Sequence, residues 1–165
     1  MKGLSLTQPW ATLVAIKAKR IETRSWSTNY RGVVAIHAAK GMPRQAQEIC
    51  FDEPFFSSLE AAGDWVPDVE LPAPRKPNLP FGTIIAVADL WDCRSIDACR
   101  RWVPTDEREL AFGDYTEGRW MWFLCKIRQL STQIPCRGAL GLWSVSAEVI
   151  LQINAQLGID VEAGR

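Results

Sequence analysis

The chain has 165 residues, in which 19 Lys and Arg balance 19 Asp and Glu, so its formal net charge at pH 7 is zero. This balance excludes a protein that coats nucleic acid through overall positive charge, and any such binding would have to be local. The length suits one domain with a substantial core, and we expect a single domain over residues 1–165.

Cysteines and apolar segments indicate the cellular setting. The five cysteines include no C-x-x-C pair, and His37 is the only histidine, so neither a zinc site nor a disulfide framework is expected. No run of about 18 apolar residues suggests a membrane span. We therefore predict a cytoplasmic protein with no metal, no other cofactor and no membrane partner.

The first predicted helix and the strand after it enclose the densest group of charges in the chain. Pro9 suits a first helical position, and the apolar spacing after it predicts a helix that ends near Arg20. The period then changes to two. Glu22, Arg24 and Trp26 would therefore line one face of a strand.

Two interpretations of this charged cluster, which begins at Lys19, are open. In the structural interpretation, Glu22 and Arg24 form ion pairs along a solvated strand edge. In the functional interpretation, Arg24 offers planar, bidentate binding to a phosphate or a base edge, and Trp26 offers a stacking face. Glu22 would then orient the arginine or handle protons.

Residues 31–40 predict a second strand. Both of its faces are apolar, which is typical of a central strand. His37 within it is either a core imidazole bonded to the backbone or a proton carrier near neutral pH. Lys40 ends the strand and could reach the charged cluster.

Prolines mark the next elements. Pro43 opens a predicted helix over residues 43–51, and another helix is expected over residues 54–62. Residues 66–80 contain five prolines, too many for a helix or an interior strand. We expect an extended connection inside the domain there, in preference to a linker between two domains.

The second half of the chain alternates strands and helices. The predicted strands lie at residues 83–91, 119–128 and within 133–144, and the predicted helices at 95–102, 105–110 and 146–157. The expected core face of the strand at 119–128 carries Met121, Phe123, Cys125 and Ile127. Residues 158–165 are expected to form a frayed tail.

Short strands with interspersed helices indicate an α+β fold, in the form of a small, partly closed β-barrel flanked by helices. No GxGxxG, Walker loop, G-x-S-x-G or H-E-x-x-H motif occurs. Nucleotide hydrolysis by a P-loop and zinc-dependent hydrolysis are accordingly disfavoured.

Several motifs together resemble one family. They are L-S-L-T-Q-P-W-A at 4–11, K-x-x-E-x-R at 19–24, A-I-H-A-A-K at 35–40, P-F-G-T at 80–83, F-G-D-Y at 112–115 and P-x-R-G-x-x-G-L-W at 135–143. With them the chain resembles the ASCH domain (activating-signal-cointegrator homology), whose signature is G-x-K-x-x-E-x-R. Lys17 stands where the signature has its first glycine, so the turn into the strand is expected to differ.

The resemblance implies a PUA-like β-barrel in which the K-x-x-E-x-R segment borders a cleft for RNA or a nucleotide-like small molecule. In it Lys19 and Arg24 would meet phosphate or a base edge, and Glu22 would orient Arg24 or accept a proton. Trp10 or Trp26 would stack on a base. The further candidate ligand-binding residues are Gln8, His37, Lys40, Tyr115 and Arg119. The oligomeric state is left open.

A metal-independent hydrolase is the alternative. Some members of the wider ASCH family are amidohydrolases that remove the acyl group from N4-acetylcytidine with a Lys, a Thr and a Glu, and others are described as ribonucleases. Lys19 matches the catalytic Lys, but Glu22 holds the Thr position, so Lys19 and Glu22 are the candidate catalytic pair. The third catalytic group, a Glu, is unplaced, with Glu107 and Glu109 as candidates.

An interaction module without a small ligand is a third possibility, although it has no obvious use for the charged cluster.

Overall fold

The computed structural model describes residues 1–61, 63 and 78–159. The strands in these residues are β1 (Lys2–Leu6), β2 (Ile21–Arg24), β3 (Gly32–Ala38), β4 (Thr83–Ser95), β5 (Trp120–Pro135) and β6 (Leu142–Ser144). The helices are α1 (Trp10–Ala15), α2 (Arg44–Ile49), α3 (Phe55–Ala61), α4 (Glu107–Ala111) and α5 (Ala147–Leu157). The α+β class predicted from the sequence is confirmed.

The strands form one curled, half-barrel sheet with the order β2-β5-β4-β3-β1-β6. β1 and β3 run parallel, and the other neighbouring pairs are antiparallel. β3 pairs with both β1 and β4, and it is buried on both sides, with Val34 and Ile36 in one apolar cluster and Ala35 in another. The predicted central strand is thus confirmed.

Helices α1 and α5 cover opposite faces of the sheet. Ala11 and Val14 of α1 pack with Trp122 of β5 inside the curl of the sheet. The outer side of α1 meets the other helices through Leu13 and Phe55. On the opposite face, α5 packs through the stripe predicted from its sequence, which consists of Val149, Ile150, Ile153 and Leu157. α1 is therefore held on two sides, which fixes the strand that follows it.

Helix α1 is shorter than the sequence pattern predicted. It ends at Ala15, and not near Arg20, because Lys17 adopts a left-handed conformation with φ of 67°. The Lys17 N–H donates to the Val14 carbonyl (2.9 Å), which closes the helix. Lys19 consequently lies beyond the helix and not in its last turn. The lysine in the signature's glycine position has kept the backbone conformation for which glycine is favoured.

The two long strands extend further than predicted. β4 continues to Ser95, so the prediction of a helix at residues 95–102 is wrong. The helical structure in this range is limited to a 3₁₀ turn at Arg100–Trp102. β5 continues to Pro135 because its residues keep pairing with β4 beyond residue 128. The helices predicted at 43–51, 54–62 and 105–110 are confirmed as α2, α3 and α4, and the one at 146–157 as α5.

An irregularity in β5 changes which face one side chain occupies. Lys126 has a left-handed φ of 46°, at a shift in the pairing between β4 and β5. Ile127 therefore packs with Trp122 and Leu124, not on the predicted face with Phe123. A period-2 pattern cannot show such a bulge, because the bulge itself breaks the period.

Three expectations stay predictions. Most of the proline-rich connection at residues 66–80, and residues 160–165 of the expected tail at 158–165, lie outside the described residues. The single-domain organisation over 1–165 is likewise untested. Within the described residues, no helix combines the length and apolar character needed to cross a bilayer.

Replacing Lys17 with glycine is expected to raise the free energy of unfolding by about 1 kcal/mol, because a side chain in the left-handed region carries roughly that strain. Lys17→Ala is the matched control, since it removes the same charge and keeps the strained backbone. Urea unfolding followed by tryptophan fluorescence measures both variants. Equal changes in the two would show that the charge, and not the φ angle, sets the stability.

Candidate functional site

Two adjoining hollows open beside β2, each with a volume of about 420 Å³. Trp10, Glu22 and Arg24 line both hollows and form their common boundary. Together the hollows form what we term the β2 cleft. Its first hollow also includes Trp26 and Arg119, and its second hollow reaches Ser5 on β1, so the cleft extends from the chain before β5 to β1.

Alternating charges run from beneath the floor of the cleft to its surface. The Lys19 Nζ lies 3.7 Å from Glu22 Oε2, and Glu22 Oε1 lies 3.1 Å from Arg24 Nε. Arg24 Nη2 also donates to the Ser5 carbonyl (3.0 Å). β2 is one edge of the sheet and β1 lies next to the other edge, so this bond crosses the opening of the half-barrel. Glu22 and Arg24 face the cleft together, as the alternation predicted.

Lys19 lies beneath the floor of the cleft and does not line it, whereas the sequence motifs predict that it meets a ligand there. Its side chain is fully buried, and Nζ donates to the carbonyls of Ile21 (2.5 Å) and Phe112 (2.7 Å). Desolvation lowers the pKa of Lys19, and the negative charges of Glu22 and Glu109 oppose that shift. With two carbonyls and Glu22 around it, the ammonium has partners for its three donors.

Glu109, one of the two candidates for the unplaced third group, binds the backbone at the start of β2. Its Oε2 accepts the N–H of Arg20 (2.9 Å) and its Oε1 accepts the N–H of Ile21 (3.0 Å). Glu109 is buried and acts electrostatically on Lys19, whereas Glu107 is exposed. Their positions along α4 distinguish Glu107 from Glu109, because residues two apart on a helix face different sides.

Two indoles form walls of the β2 cleft. Trp26 is 36% exposed, and its ring meets Trp122 edge-on with centroids 4.6 Å apart. Trp122 Nε1 donates to the Trp26 carbonyl (3.2 Å). Trp10 packs edge-on against Phe55 at 6.0 Å. Each indole is therefore fixed by the core while it lines the cleft, an arrangement that leaves little side-chain entropy to lose on binding.

The chain before β5 is fastened to β2 through Thr23. Arg119 Nη2 donates to the Thr23 carbonyl (3.2 Å), and the Asp114 N–H donates to Thr23 Oγ1 (3.0 Å). Arg119 Nε also donates to the Asp114 carbonyl (3.1 Å). Arg119 therefore borders the first hollow in a fixed orientation. Thr23 contributes through its backbone and hydroxyl, although the alternation had placed it on the opposite face.

Tyr115 packs under this segment and does not line the cleft. Its ring lies so close to Gly113 that a Cβ there would be 2.6 Å from it. Its hydroxyl is buried without a hydrogen-bond partner among the described residues. Burial raises the pKa of Tyr115, and the charges of Glu109 and Glu22 raise it further. The phenol therefore stays protonated beside these two carboxylates.

Gln8 is a structural residue here. Its amide is fully buried, and Nε2 donates to Thr12 Oγ1 (2.8 Å) and to the Pro80 carbonyl (2.8 Å). Its Oε1 accepts the Thr12 N–H (3.1 Å) at the start of α1. Gln8 does not line the β2 cleft, because its amide is committed to the helix and to the chain before β4, so nothing in this geometry supports its predicted role in ligand binding.

His37 and Lys40 do not join the charged cluster. They line a different hollow, and Ser5 is the described residue that lines both this hollow and the β2 cleft. His37 Nε2 lies 3.2 Å from the Cys136 carbonyl, as the core-imidazole interpretation expects. Desolvation lowers the pKa of His37, while the Cys136 carbonyl acts in the opposite direction. Lys40 is exposed and extends across Gly82.

No group of three His, Cys, Asp or Glu side chains in the described part of the chain is placed to hold a metal ion. The chemistry available in the β2 cleft is therefore that of a carboxylate, guanidinium groups and indole rings. These groups suit hydrogen bonding to, and stacking on, a planar polar ligand.

Comparison with known proteins gives one family and one fold. Residues 4–132 match the ASCH domain model. Two relatives are activating signal cointegrator 1 of Mus musculus, 29% identical over 147 residues, and of Homo sapiens, 28% identical over 149 residues. Each match covers 88% of this chain and 22% of the relative, so the chain spans about a fifth of the relatives' length.

Two solved structures have the same fold. ASCH from Zymomonas mobilis matches with a TM-score of 0.51 at 11% identity, covering 93% of each chain. A single-residue variant of the same protein matches with a TM-score of 0.50 at 10% identity, covering 93% of this chain and 96% of that one. The PUA-like α+β fold expected from the sequence is confirmed.

Replacing Glu109 with glutamine is expected to lower the free energy of unfolding by about 2 kcal/mol, because an amide oxygen can take over only one of two buried N–H bonds to a charged acceptor. Glu107→Gln on the same helix is the matched control and should stay within about 0.5 kcal/mol of wild type. Urea unfolding provides the comparison. Similar losses in both variants would contradict the assigned role of Glu109.

His37 is expected to titrate below its usual pKa of about 6.5 in the folded chain, because its imidazole is desolvated. The unfolded chain then binds a proton that the folded chain does not, so stability attributable to His37 is lost as pH falls below about 6.5. Proton NMR can follow this single imidazole directly, with the urea-unfolded chain as reference. Burial raises the pKa of the neighbouring Cys136 thiol, so this thiol does not titrate in the same window. A folded value at or above the unfolded one would contradict the prediction.

Proposed function

The chain belongs to the ASCH domain family, and from that premise we propose that its β2 cleft binds RNA or a nucleotide-like ligand. The observation that carries this proposal is the ion pair between Glu22 and Arg24, which lies on the common boundary of both hollows beside the indoles of Trp10 and Trp26. A hydrogen-bonding pair between aromatic walls is what recognition of an unstacked base requires.

The Glu22–Arg24 pair supplies complementary hydrogen-bonding groups. Glu22 Oε1 lies against Arg24, and its remaining acceptor sites suit an exocyclic amino or ring N–H group of a base. Arg24 Nη2 donates to the Ser5 carbonyl, whereas the buried Nε lies 3.1 Å from Glu22 Oε1 without a hydrogen bond to any described residue. The other N–H groups of Arg24 remain for a base carbonyl, a ring nitrogen or a phosphate. Their side chains are 12% and 26% exposed, so this exchange would take place largely out of water, where hydrogen bonds discriminate best.

Lys19 has a positioning role in this proposal. Its ammonium lies beneath Glu22, 3.7 Å from Oε2, and this ion pair orients the carboxylate toward the cleft. Arg119 borders the first hollow as a second guanidinium, and it suits a phosphate attached to the base's sugar. The zero net charge of the chain agrees with binding by such a local arrangement.

The hydrolase alternative rests on the lowered pKa of Lys19, which favours a neutral amine. Its Nζ, however, donates to the carbonyls of Ile21 and Phe112 and does not line the cleft. Turnover would require the amine to leave both carbonyls and reach a substrate. Incubation with N4-acetylcytidine and with labelled RNA, beside Lys19→Ala, tests for turnover in the same samples that are used for binding.

Trp26→Ala is expected to weaken RNA binding by about tenfold or more, because one stacked base contributes roughly 1–3 kcal/mol. The matched control is Trp91→Ala, since Trp91 is 47% exposed on β4 and does not line the cleft. Fluorescence anisotropy with a labelled single-stranded RNA, and calorimetry with the four nucleoside monophosphates, measure the two affinities.

Arg24→Gln should lower affinity as well, whereas Arg44→Gln, with a side chain that is 90% exposed and outside the cleft, should not. Thermal unfolding of each variant is recorded because Arg24 also bonds to Ser5. If Trp26→Ala and Arg24→Gln fold normally and bind every probe as tightly as wild type, the proposed function is refuted.

A further inference from the structure

A third hollow, of about 1010 Å³, lies at the end of β3 and the start of β4. We term it the β3 hollow. The residues that define it here are Ser5, His37, Lys40, Phe81, Arg137 and Gly138. It is larger than either part of the β2 cleft, and the proposed function does not use it.

The described lining of the β3 hollow carries positive charge and no Asp or Glu. Lys40 and Arg137 are both exposed, and neither has an ion-pair or hydrogen-bond partner among the described residues. In the β2 cleft, by contrast, Arg24 and Arg119 are paired with Glu22 and Asp114. Two unpaired cations in a chain of zero net charge form a local positive field that suits anions.

Close backbone approaches give the β3 hollow its floor. A Cβ on Gly138 would lie 2.5 Å from His37 Nδ1 and 2.6 Å from Ser5 Oγ, so the chain after β5 rests directly on β1 and β3. A Cβ on Gly82 would lie 2.9 Å from the Lys40 Cγ, so the lysine stem runs across the start of β4. Gly138 is therefore needed for this close approach, Gly82 is favoured by its φ of +65°, and the Lys40 stem passes over the start of β4.

An exposed ring accompanies the two cations. Phe81 is 41% exposed and lines the hollow beside Lys40. A positive groove with an exposed aromatic ring is the combination that binds the backbone and bases of single-stranded nucleic acid. A purely hydrophobic ligand would offer no anionic group for Lys40 and Arg137 to bind.

Ser5 connects this hollow to the β2 cleft, because it lines both. Its carbonyl accepts from Arg24 Nη2 (3.0 Å) on the cleft side. Its hydroxyl accepts from Trp143 Nε1 (3.1 Å). The two recognition surfaces are thus separated by a single, firmly held residue.

We propose that the β3 hollow is a second binding site, in which Lys40 and Arg137 hold phosphates of the same RNA strand that places a base in the β2 cleft. The preferred ligand is then a strand of several nucleotides and not a single nucleoside. This inference rests on the proposed function, which it deepens by naming a polymeric ligand and the residues that contact its continuation.

The test compares single-stranded RNA of increasing length, from a dinucleotide to an octanucleotide, with the nucleoside monophosphates. The variant is Lys40→Gln combined with Arg137→Gln. Its matched control is Arg101→Gln combined with Arg128→Gln, which removes the same charge from exposed positions outside the β2 cleft and the β3 hollow. Anisotropy titrations of each protein are repeated over a series of salt concentrations.

The wild type is expected to bind the octanucleotide more tightly than any monophosphate, and the Lys40/Arg137 variant to lose about tenfold of that affinity at low salt. In the Lys40/Arg137 variant the plot of log K against log salt should be less steep than in the wild type, with a slope about 1.4 smaller in magnitude, since each single-strand phosphate contact contributes about 0.7. The control variant should keep the wild-type slope, and all three proteins should bind the monophosphates alike.

Two results would overturn the inference and leave the proposed function intact: an octanucleotide that binds no better than a monophosphate, or a control variant that loses as much affinity as the Lys40/Arg137 variant. Wild-type protein that binds neither monophosphate nor RNA would refute the proposed function itself. The two failures are therefore distinguishable in one set of titrations.

Discussion

The buried ammonium of Lys19 is the constraint around which this fold is arranged. A charge withdrawn from water is costly unless ion pairs and hydrogen bonds surround it. Here Glu22 and the carbonyls of Ile21 and Phe112 supply that shell, and Glu109 adds a second negative charge. Removal of one partner from a buried ion pair typically lowers the folding stability by about 3–5 kcal/mol. These groups therefore hold one another in place, and they fix the position of β2, which has only four residues.

The architecture of the cleft follows from that arrangement. Glu109 holds the backbone at the start of β2 from one side, and Thr23 ties the same strand to the chain before β5. With β2 fixed, Glu22 and Arg24 present their polar ends between the indoles. We infer that the buried charges serve mainly to specify the position of β2, because the desolvation cost of a buried ion pair offsets much of its attraction. The binding proposal depends on this geometry and not on the overall charge of the chain.

Local signals in the sequence were enough for much of this fold. The apolar stripe of α5, the doubly buried β3 and the shared face of Glu22 and Arg24 follow from periodicity alone. The burial of Lys19 could not be predicted, because its partner carbonyl in Phe112 is 93 residues away. The choice of Glu109 over Glu107, the bulge at Lys126 and the separate hollow at His37 depend in the same way on tertiary packing that no local pattern records.

The bond from Arg24 to the Ser5 carbonyl joins an edge strand to the far side of the half-barrel. A single guanidinium thus holds the two sides of the half-barrel together and also lines both hollows of the β2 cleft. A ligand that draws this arginine toward itself must compete with the bond to Ser5, whereas one that accepts the existing orientation leaves that bond in place. Under the binding proposal, occupancy of the cleft and the stability of the contact between β2 and β1 are therefore thermodynamically linked through one side chain.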